Sequence, residues 1–327
     1  MSRIAVTGSI ATDYLMNFPA KFTDRIVLSE LSVLSLSFLV DELDIRQGGA
    51  GANIAYGLGG LGVNPILIGA VGEDFDDSWL RKAGVNTESL LISSTSHTAR
   101  FMCTTDVTQN QIATFYAGAM RDARFLSIAK IAKQFETINL IVISPNDPAA
   151  MIKYTNECRA EGLRFAADPS QQLARLDRKE VRSLIVGAVY LFTNEYENSL
   201  LRERSGWTVA EILDRLGMWV TTRGDKGVRI ERRGQGPLNI TVTPTTQILD
   251  PTGAGDGFRA GFLFGINRRL SIENSAQLGC VVATTVLEST GAQDYHLSPT
   301  AITERLQSTY GRESADAVRV SLLPATV

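Results

Sequence analysis

Residues 140–224 alternate between short apolar segments and segments of helical character, and this alternation limits the possible folds most strongly. The apolar segments are LIVIS, RFAAD, AVYLFTN and MWVTTRG, and stretches such as PAAMIKYTNECRAEG and TVAEILDRLG separate them. Strands that alternate with helical segments of this length predict βαβ units. Such units form a parallel sheet with helices on both faces, so the sequence predicts an α/β core.

Strand-like segments also occur before this region. IAVTGSI (4–10) predicts a strand that runs into a loop carrying Asp13, and PILIGAVG (65–72) predicts a buried strand. TARFMCTT (98–105) and QIATFY (111–116) flank a polar turn and predict a hairpin. Residues 13–48 contain strand-like stretches without a clear helix. These non-helical regions predict a small β-rich piece beside the core.

The C-terminal third predicts a further pair of strands and two long helices. GVRIERRG and LNITVTP predict a β-ribbon, and the helical stretches cover residues 253–267 and 271–288. A chain of 327 residues is long enough for one large α/β domain with a small addition. We therefore expect a core of residues 1–12, 49–96 and 119–327, and a discontinuous lid of residues 13–48 and 97–118.

Composition argues against several classes of protein. The net charge of −3 gives no electrostatic basis for binding nucleic acid or an anionic membrane. No apolar run reaches the roughly 18 residues that a membrane span needs. The start, MSRIAVTGSI, lacks the long apolar region of a signal peptide, so we expect a cytoplasmic protein.

Cysteine and histidine usage excludes two kinds of site. The three cysteines, Cys103, Cys158 and Cys280, lie far apart and lack the CxxC spacing of zinc sites, which favours isolated buried thiols. The chain contains only His97 and His296, so a Ser–His–Asp triad or a histidine metal centre is difficult to build. GLGGLG (57–62) matches a dinucleotide fingerprint, but the helix precedes it and the strand follows it. We interpret these glycines as the end of a helix.

The segment DPTGAGDGFRAGF (250–262) places small residues where a loop turns into a helix. The first N–H groups of a helix have no partner within the helix, and the aligned peptide dipoles add positive charge there. Residues 253–255 therefore predict an anion site, which a backbone without side chains lets a ligand approach closely. Asp256 follows at once and is placed to accept a proton from an attacking alcohol, although an acidic residue in a first turn can also simply complement the dipole.

This segment is similar to the C-terminal signature of the ribokinase-like, or PfkB, carbohydrate and nucleoside kinases. GGAGANIAYGLGGLG resembles the N-terminal glycine pair of that family with its asparagine. Residues 194–197 (NEYE) resemble its N-x-x-E motif, and residues 222–227 (TRGDKG) resemble its T-x-G-x-x-G nucleotide loop. The four motifs occur in the family's order over nearly the whole chain. The resemblance implies a three-layer α/β/α fold with a mostly parallel central sheet and a small β-sheet lid.

The resemblance also implies roles around the phosphates. Asp256 corresponds to the catalytic base and residues Gly253, Ala254 and Gly255 to the anion hole for the γ-phosphate of ATP. The ATP site would be lined by Asn194, Thr222, Gly224, Lys226 and Gly227. Glu197 would act with Asn194 through Mg²⁺ and its waters, and Asp250 and Thr252 match part of a K⁺ site.

Substrate-binding residues follow from the same resemblance. Ser9, Asp13, Gly49 and Asn53 stand where the family holds the hydroxyls of a furanose. A carboxylate accepts two hydroxyl protons, but Asp13 can also act only as a loop-capping residue. The predicted hairpin carries the aromatic rings of Phe101 and Phe115, and Met120 follows it. These side chains can line the pocket for a purine, on which the rings would stack, or they can form an oligomer interface. Phe101 can also reach into a partner's site when two lids pair.

Two positions depart from the family pattern. Arg259 stands where an asparagine is common, and it is expected either to offset phosphate charge or to point to solvent. ADPSQQLAR (167–175) replaces the usual D-x-N-x-R of sugar kinases. Gln171 and Gln172 in this segment are placed to bind polar edges of a heterocycle.

Segments such as TGSIATDYLMNFP, HTARF and FAADPSQQLARL resemble the actinobacterial type of adenosine kinase within this family. This resemblance implies ATP-dependent phosphorylation of the 5′-hydroxyl of adenosine, in purine salvage, and a homodimer formed through the lid. Two alternatives stay open: a kinase of the same fold that acts on a free sugar such as ribose or fructose, and a non-catalytic purine-binding protein.

Overall fold

The computed structural model describes residues 3–24, 37–135, 137–245 and 247–322. Part of the expected lid, residues 25–36, lies outside these ranges. The described strands are β1 (Arg3–Thr7), β2 (Ala11–Phe18), β3 (Glu42–Gly48), β4 (Ile66–Gly72), β5 (Leu90–Ser93), β6 (Ala99–Asp106), β7 (Gln111–Tyr116), β8 (Ile138–Ile143), β9 (Phe165–Ala167), β10 (Tyr190–Asn194), β11 (Trp219–Thr222), β12 (Val228–Glu231) and β13 (Leu238–Ile240).

The described helices cover the segments between these strands and the C-terminal part. They are α1 (Ala50–Gly60), α2 (Ser78–Lys82), α3 (Ile128–Gln134), α4 (Pro148–Ala160), α5 (Arg178–Ile185), α6 (Glu195–Ser205), α7 (Val209–Leu213), α8 (Ala254–Asn267), α9 (Ile272–Leu287), α10 (Pro299–Tyr310) and α11 (Arg312–Leu322). Among the residues that the structure describes, no helix combines the length and the apolar character needed to cross a membrane.

The large sheet has the strand order β13-β12-β11-β10-β9-β8-β1-β4-β5. Its strands from β11 to β5 are parallel, and only β12 and β13 run antiparallel to their neighbours. The βαβ pattern of residues 140–224 and the later β-ribbon are both confirmed. The first strand is shorter than predicted, because the chain leaves the sheet after Thr7 and the N–H of Ser9 donates to the carbonyl of Pro145 (2.7 Å).

Alternate side chains of the parallel strands pack against helices on opposite faces. Ile4 and Val6 of β1 belong to the apolar cluster that includes α1, α8 and α9, whereas Ala5 between them belongs to the cluster that includes α4 and α5. These two clusters lie on the two faces of the sheet and give the three-layer α/β/α architecture. The sequence resemblance predicted this architecture correctly.

The second sheet, which we call the lid sheet, has the order β3-β2-β6-β7. β2 begins at Ala11, and the hairpin predicted in residues 98–116 is present as β6 and β7. Asp13 pairs with Arg46 on one side and with Phe101 on the other, and Phe101 pairs with Phe115. Since paired residues of neighbouring strands point to the same face, these four side chains form one row across the lid sheet.

Candidate active site

A polar cavity of about 310 Å³ lies where several parallel strands of the large sheet end. Asp168, Asn194 and Thr222 come from the carboxyl ends of β9, β10 and β11, and the start of α8 closes the cavity. The order of the sheet reverses at β1, which pairs with β4 on one side and with β8 on the other. In open α/β sheets, ligands bind at the carboxyl ends of strands near such a reversal.

Helix α8 points its N-terminus at this cavity. Its N-cap is Gly253, with φ of 77°, and a Cβ at this position would lie 2.4 Å from the Cβ of Ala292. Only glycine combines this left-handed backbone with the close approach. The N–H of Ala254 donates to the carbonyl of Pro251 (3.3 Å), which closes the turn before the helix. The positive end of the helix dipole therefore faces the cavity, as an anion site requires.

Asp256, in the first turn of α8, lines the same cavity. Its Oδ2 accepts a hydrogen bond from Asn53 Nδ2 (2.8 Å), which joins α8 to the first turn of α1. Burial raises the pKa of Asp256; the charge of Arg259 and the hydrogen bond from Asn53 oppose this rise, and the charge of Glu197 adds to it. A carboxylate in these surroundings can act as a general base.

A chain of hydrogen bonds fixes the orientation of Asn53. The indole N–H of Trp79 donates to Gln293 Oε1 (2.8 Å), and Gln293 Nε2 donates to Asn53 Oδ1 (2.7 Å). Because an indole N–H can only donate, it fixes the amide of Gln293, then that of Asn53, and finally the donor that reaches Asp256. Sequence reasoning missed Trp79 and Gln293, since neither belongs to a motif and Gln293 lies 240 residues from Asn53 and 214 residues from Trp79.

The loop after β1 and the start of α1 bring the predicted sugar-binding residues together. Ser9 Oγ accepts from the N–H of Ala50 (3.0 Å), and Gly49 is the N-cap of α1, with φ of 94°. A Cβ on Gly48 would lie 2.5 Å from Asp13 Oδ2, so the carboxylate rests against the backbone just before α1. Burial raises the pKa of Asp13 to about 6; Asp250 adds to the rise and Arg46 opposes it.

The N-x-x-E motif forms the capping box of α6. Asn194 Oδ1 accepts from the N–H of Glu197, and Glu197 Oε2 accepts from the N–H of Asn194 (both 2.8 Å). The second oxygen of Glu197, Oε1, accepts from Ser170 Oγ (3.1 Å) and faces the cavity. A carboxylate oxygen beside a phosphate site fits Mg²⁺, which keeps several waters and needs few protein ligands.

The T-x-G-x-x-G segment forms the turn between β11 and β12. Thr222 ends β11 and lines the cavity, and residues 224–226 form a short 3₁₀ turn that ends at Gly227. The N–H of Gly227 donates to the carbonyl of Gly224 (3.1 Å). Lys226 Nζ lies 3.6 Å from Glu195 Oε2, on the outer side of the start of α6.

The predicted base-binding residues lie in two separate places. Phe101 and Phe115 are paired on the lid sheet, and 44% of Phe115 is exposed. Met120 is 5% exposed and packs with Ala11 and Ala99 beneath the lid. Gln171 and Gln172 belong to the 3₁₀ segment after β9. Gln172 is buried, and Gln171 Oε1 lies 2.7 Å from the Oγ of Ser170, the residue that also contacts Glu197.

Both carboxylate oxygens of Asp250 accept backbone N–H bonds, and one of them also contacts a cation. Oδ1 accepts from the N–H of Thr252 (2.8 Å), and Oδ2 accepts from the N–H of Gly291 (3.1 Å) and from Arg46 Nη1 (2.8 Å). Burial works to raise the pKa of Asp250, but these hydrogen bonds and the charge of Arg46 hold it below its usual value. A K⁺ ion needs free oxygen lone pairs, and the adjacent guanidinium repels it, so these residues do not fit the K⁺ site that the resemblance implied.

Arg259 is buried, and the expectation that it points to solvent is wrong. Its side chain is 8% exposed and that of Asp168 is 1% exposed. Arg259 Nε lies 2.6 Å from Asp168 Oδ2, and Nη2 donates to Asp168 Oδ1 (2.7 Å). Nη1 donates to the carbonyl of Gly255 (2.9 Å). The guanidinium therefore forms a two-point ion pair that ties the end of β9 to the first turns of α8.

Comparisons with known proteins agree with this architecture. The sequence profile of the pfkB family of carbohydrate kinases matches residues 10–300. A nucleoside kinase of Methanocaldococcus jannaschii is 28% identical over 311 residues, which cover 94% of this chain and 97% of the relative. A ribokinase of Bacillus subtilis is 26% identical over 300 residues, covering 90% and 95%.

Solved structures give the same result. The nucleoside kinase of Burkholderia thailandensis in complex with inosine superimposes with a TM-score of 0.82 at 30% identity, covering 94% of this chain and 98% of that structure. The M. jannaschii nucleoside kinase superimposes with a TM-score of 0.82 at 25% identity, covering 94% and 99%. The expected ribokinase-like fold is therefore confirmed.

Proposed function

The chain belongs to the pfkB family of carbohydrate kinases, and we propose that it transfers the γ-phosphoryl group of ATP to the 5′-hydroxyl of adenosine, giving AMP and ADP. Membership of this family supports kinase activity and ATP as the co-substrate. One observation carries the proposal further. Asp256 stands in the first turn of a helix whose N-terminus faces the polar cavity, and Asn53 holds its carboxylate in place.

Asp256 would accept the proton of the 5′-hydroxyl as that oxygen attacks the γ-phosphorus. A positioned base of this kind contributes about 10²–10⁴-fold to the rate. The base must be ionised, and both the charge of Arg259 and the hydrogen bond from Asn53 favour the ionised form. These two neighbours offset part of the effect of burial.

The phosphate groups would lie against the N-terminus of α8, with residues Gly253, Ala254 and Gly255 as the anion hole. Backbone N–H groups fixed at a developing charge each contribute of order 10²–10³-fold. Glu197, supported by Asn194 in the capping box, would hold Mg²⁺ through water, and that cation neutralises charge on the transferring phosphate. Thr222 and the turn at residues 224–227 would complete the ATP side.

The nucleoside would lie between the large sheet and the lid sheet. Asp13 and Asn53 would bind the ribose hydroxyls near Ser9 and Gly49, and the base would stack on the paired rings of Phe101 and Phe115. The B. thailandensis relative was solved in complex with inosine, which supports a purine nucleoside as the substrate class. In this proposal Gln171 and Gln172 would bind polar edges of the base. Met120 packs against Ala11 and Ala99 of the lid strands.

The outer face of the lid sheet supports a homodimer as part of this proposal. Leu43, Ile45, Ile112 and Tyr116 are 55%, 55%, 44% and 41% exposed, respectively. The strand registers place these four side chains on the face opposite the row that contains Asp13. Pairing of two lids would bury this apolar face, as soluble proteins commonly do with such patches.

Release of ADP from ATP and Mg²⁺ should be measured with adenosine, inosine, guanosine, ribose and fructose offered separately. We expect turnover with adenosine and little with the free sugars. Asp256→Asn should lower kcat by about 10²–10⁴-fold while adenosine still binds, because the amide cannot accept the proton. If this variant turns over normally, the assigned base is wrong, and if the native protein binds purines without consuming ATP, it is a binding protein.

Phe101→Ala and Phe115→Ala test the stacking contact. Stacking on one base is worth about 1–3 kcal/mol, so the KM for adenosine should rise roughly 5–150-fold. Phe125→Ala is the matched control, since this ring is 71% exposed and lies outside the lid sheet. Preference for a free sugar, together with unchanged KM in the two lid variants, would favour a sugar kinase of the same fold.

A further inference from the structure

Arg46 connects the lid sheet to the loop before α8 through an ion pair. It lies in β3, and its Nη1 donates to Asp250 Oδ2 across 204 residues of sequence (2.8 Å). Asp44, two residues earlier in the same strand, accepts from Arg46 Nε (2.6 Å) and holds the guanidinium from the other side. Both members of the contact with Asp250 are largely buried, with side chains 23% and 15% exposed.

Asp250 lies three residues before the N-cap of α8. Its carboxylate also accepts from the N–H groups of Thr252 and Gly291, so it joins the loop before α8 to the loop after α9. A Cβ on Gly291 would lie 3.1 Å from Arg46 Cδ, which shows that the stem of the arginine packs against this second loop. The carboxylate therefore organises the backbone that precedes the anion hole, and Arg46 neutralises it.

Arg46 is also in direct register with Asp13 of β2. Asp13, Arg46 and Asp250 influence one another electrostatically, since Asp250 favours the neutral form of Asp13 and Arg46 favours its ionised form. A change in the position of β3 would move the guanidinium relative to both carboxylates. The contact thus links the residue proposed to bind the sugar with the loop proposed to bind the phosphate.

We propose that the Arg46 guanidinium provides, at Asp250, the positive charge that the family resemblance assigns to K⁺, and that it couples the lid sheet to the anion hole. The catalytic part of this proposal rests on the proposed function. The electrostatic part does not, because it concerns the folded protein without substrate. The consequence is a native protein that does not respond specifically to K⁺.

Thermal unfolding without substrate tests the electrostatic part. It should be measured at constant ionic strength in KCl, NaCl and choline chloride, since equal ionic strength keeps screening equal. The native protein should have the same Tm in all three salts. Arg46→Gln should have a lower Tm in choline chloride, and KCl should raise it by roughly 2–4 °C, because the exposed carboxylate then accepts a cation.

Turnover in the same salts tests the coupling. The native rates should agree within about twofold, whereas Arg46→Gln should lose about 10–150-fold in kcat/KM, the size of a lost charge-assisted hydrogen bond. KCl should restore part of that loss. Arg46→Lys keeps the charge but cannot contact Asp44 and Asp250 in the same way. Its rate should therefore stay independent of K⁺, and it should lose less activity than Arg46→Gln.

Arg100→Gln is the matched control. Arg100 also joins the lid sheet to the core, but it lies in β6, and its ion-pair partner is Asp74 (2.9 Å), which follows β4, rather than Asp250. Its loss should affect stability without creating a response to K⁺. Native protein whose Tm and rate rise specifically with K⁺ overturns the proposal, even if Arg46→Gln fails to fold. Failure of all turnover, with the Tm results as expected, would instead refute the proposed function alone.

Discussion

The buried ion pair between Arg259 and Asp168 predicts a large and non-additive effect on stability. Both side chains are almost completely buried. Removing Asp168 leaves the guanidinium without its counter-charge, and removing Arg259 leaves a carboxyl group whose pKa burial already raises to about 7, so that it must take up a proton. Loss of one member of such a pair costs about 3–5 kcal/mol of the free energy of unfolding. Arg259→Met and Asp168→Leu should each be destabilised by this amount.

The double variant should be more stable than either single variant. Simple addition predicts a loss of about 6–10 kcal/mol, comparable to the whole stability of many domains. Replacing both charges by apolar side chains of similar size is often nearly neutral, because no charge then stays buried without a partner. Guanidinium chloride unfolding at pH 7, followed by far-UV circular dichroism, gives the midpoints for all four proteins. A double variant that unfolds at the lowest denaturant concentration would refute the pairing.

The same variant has a kinetic consequence. The guanidinium favours the ionised form of Asp256, which also faces Asn53 and Glu197. In Arg259→Met the pKa of Asp256 should rise, so the acidic limb of the pH profile of kcat should move to higher pH. Arg268→Met is a control, since Arg268 contacts Phe264 near the far end of α8. An unchanged acidic limb would mean that Arg259 acts only on stability.

Three further variants test the other parts of the site. Burial raises the pKa of Asp13 to about 6, so the buried charge costs stability above that pH and little near pH 4. Asp13→Asn should therefore raise the Tm at pH 8 and hardly change it at pH 4, and it should raise the KM for adenosine at pH 8, where the native carboxylate is ionised. Gly253→Ala should lower both Tm and kcat because its Cβ would lie 2.4 Å from Ala292, whereas Gly62→Ala has a similar φ (80°) and free space, and should lower only Tm, by less. Gln293→Leu removes the donor that orients the asparagine beside the base, so kcat should fall with a smaller change in KM, and equal changes in both would argue against a positioning role.

Features that depend on local sequence were predictable. The βαβ alternation, the hairpin at residues 98–116 and the helix start at Gly253 follow from periodicity, turn residues and backbone constraints within short segments. The interpretation of GLGGLG as the end of a helix is confirmed, because α1 ends at Gly60. The N-x-x-E motif shows why local reasoning is incomplete, since its two residues form a capping box and also face the cavity.

Partners that meet only through the topology were not predictable. Asn53 and Gln293 are 240 residues apart, Arg46 and Asp250 are 204 apart, and Asp168 and Arg259 are 91 apart. Each contact forms because the fold brings together segments that are distant in the sequence. A single sequence contains the residue types but not their pairing, so the exposed alternative for Arg259 could not be rejected before the fold was known.

The charges of the site explain why two arginines stand beside it. Asp13, Asp168, Asp250, Asp256 and Glu197 bring five carboxylates to the region into which ATP would carry several more negative charges. Arg259 compensates Asp168 at the first turns of α8, and Arg46 compensates Asp250 in the loop before that helix. Among the described residues, no cation forms a salt bridge with Asp256, which under the proposed function would act as the base, and Glu197 Oε1 would be available to Mg²⁺ and its waters. The carboxylates paired with arginines, Asp168 and Asp250, are thus distinct from Asp256 and Glu197, which would carry the reaction.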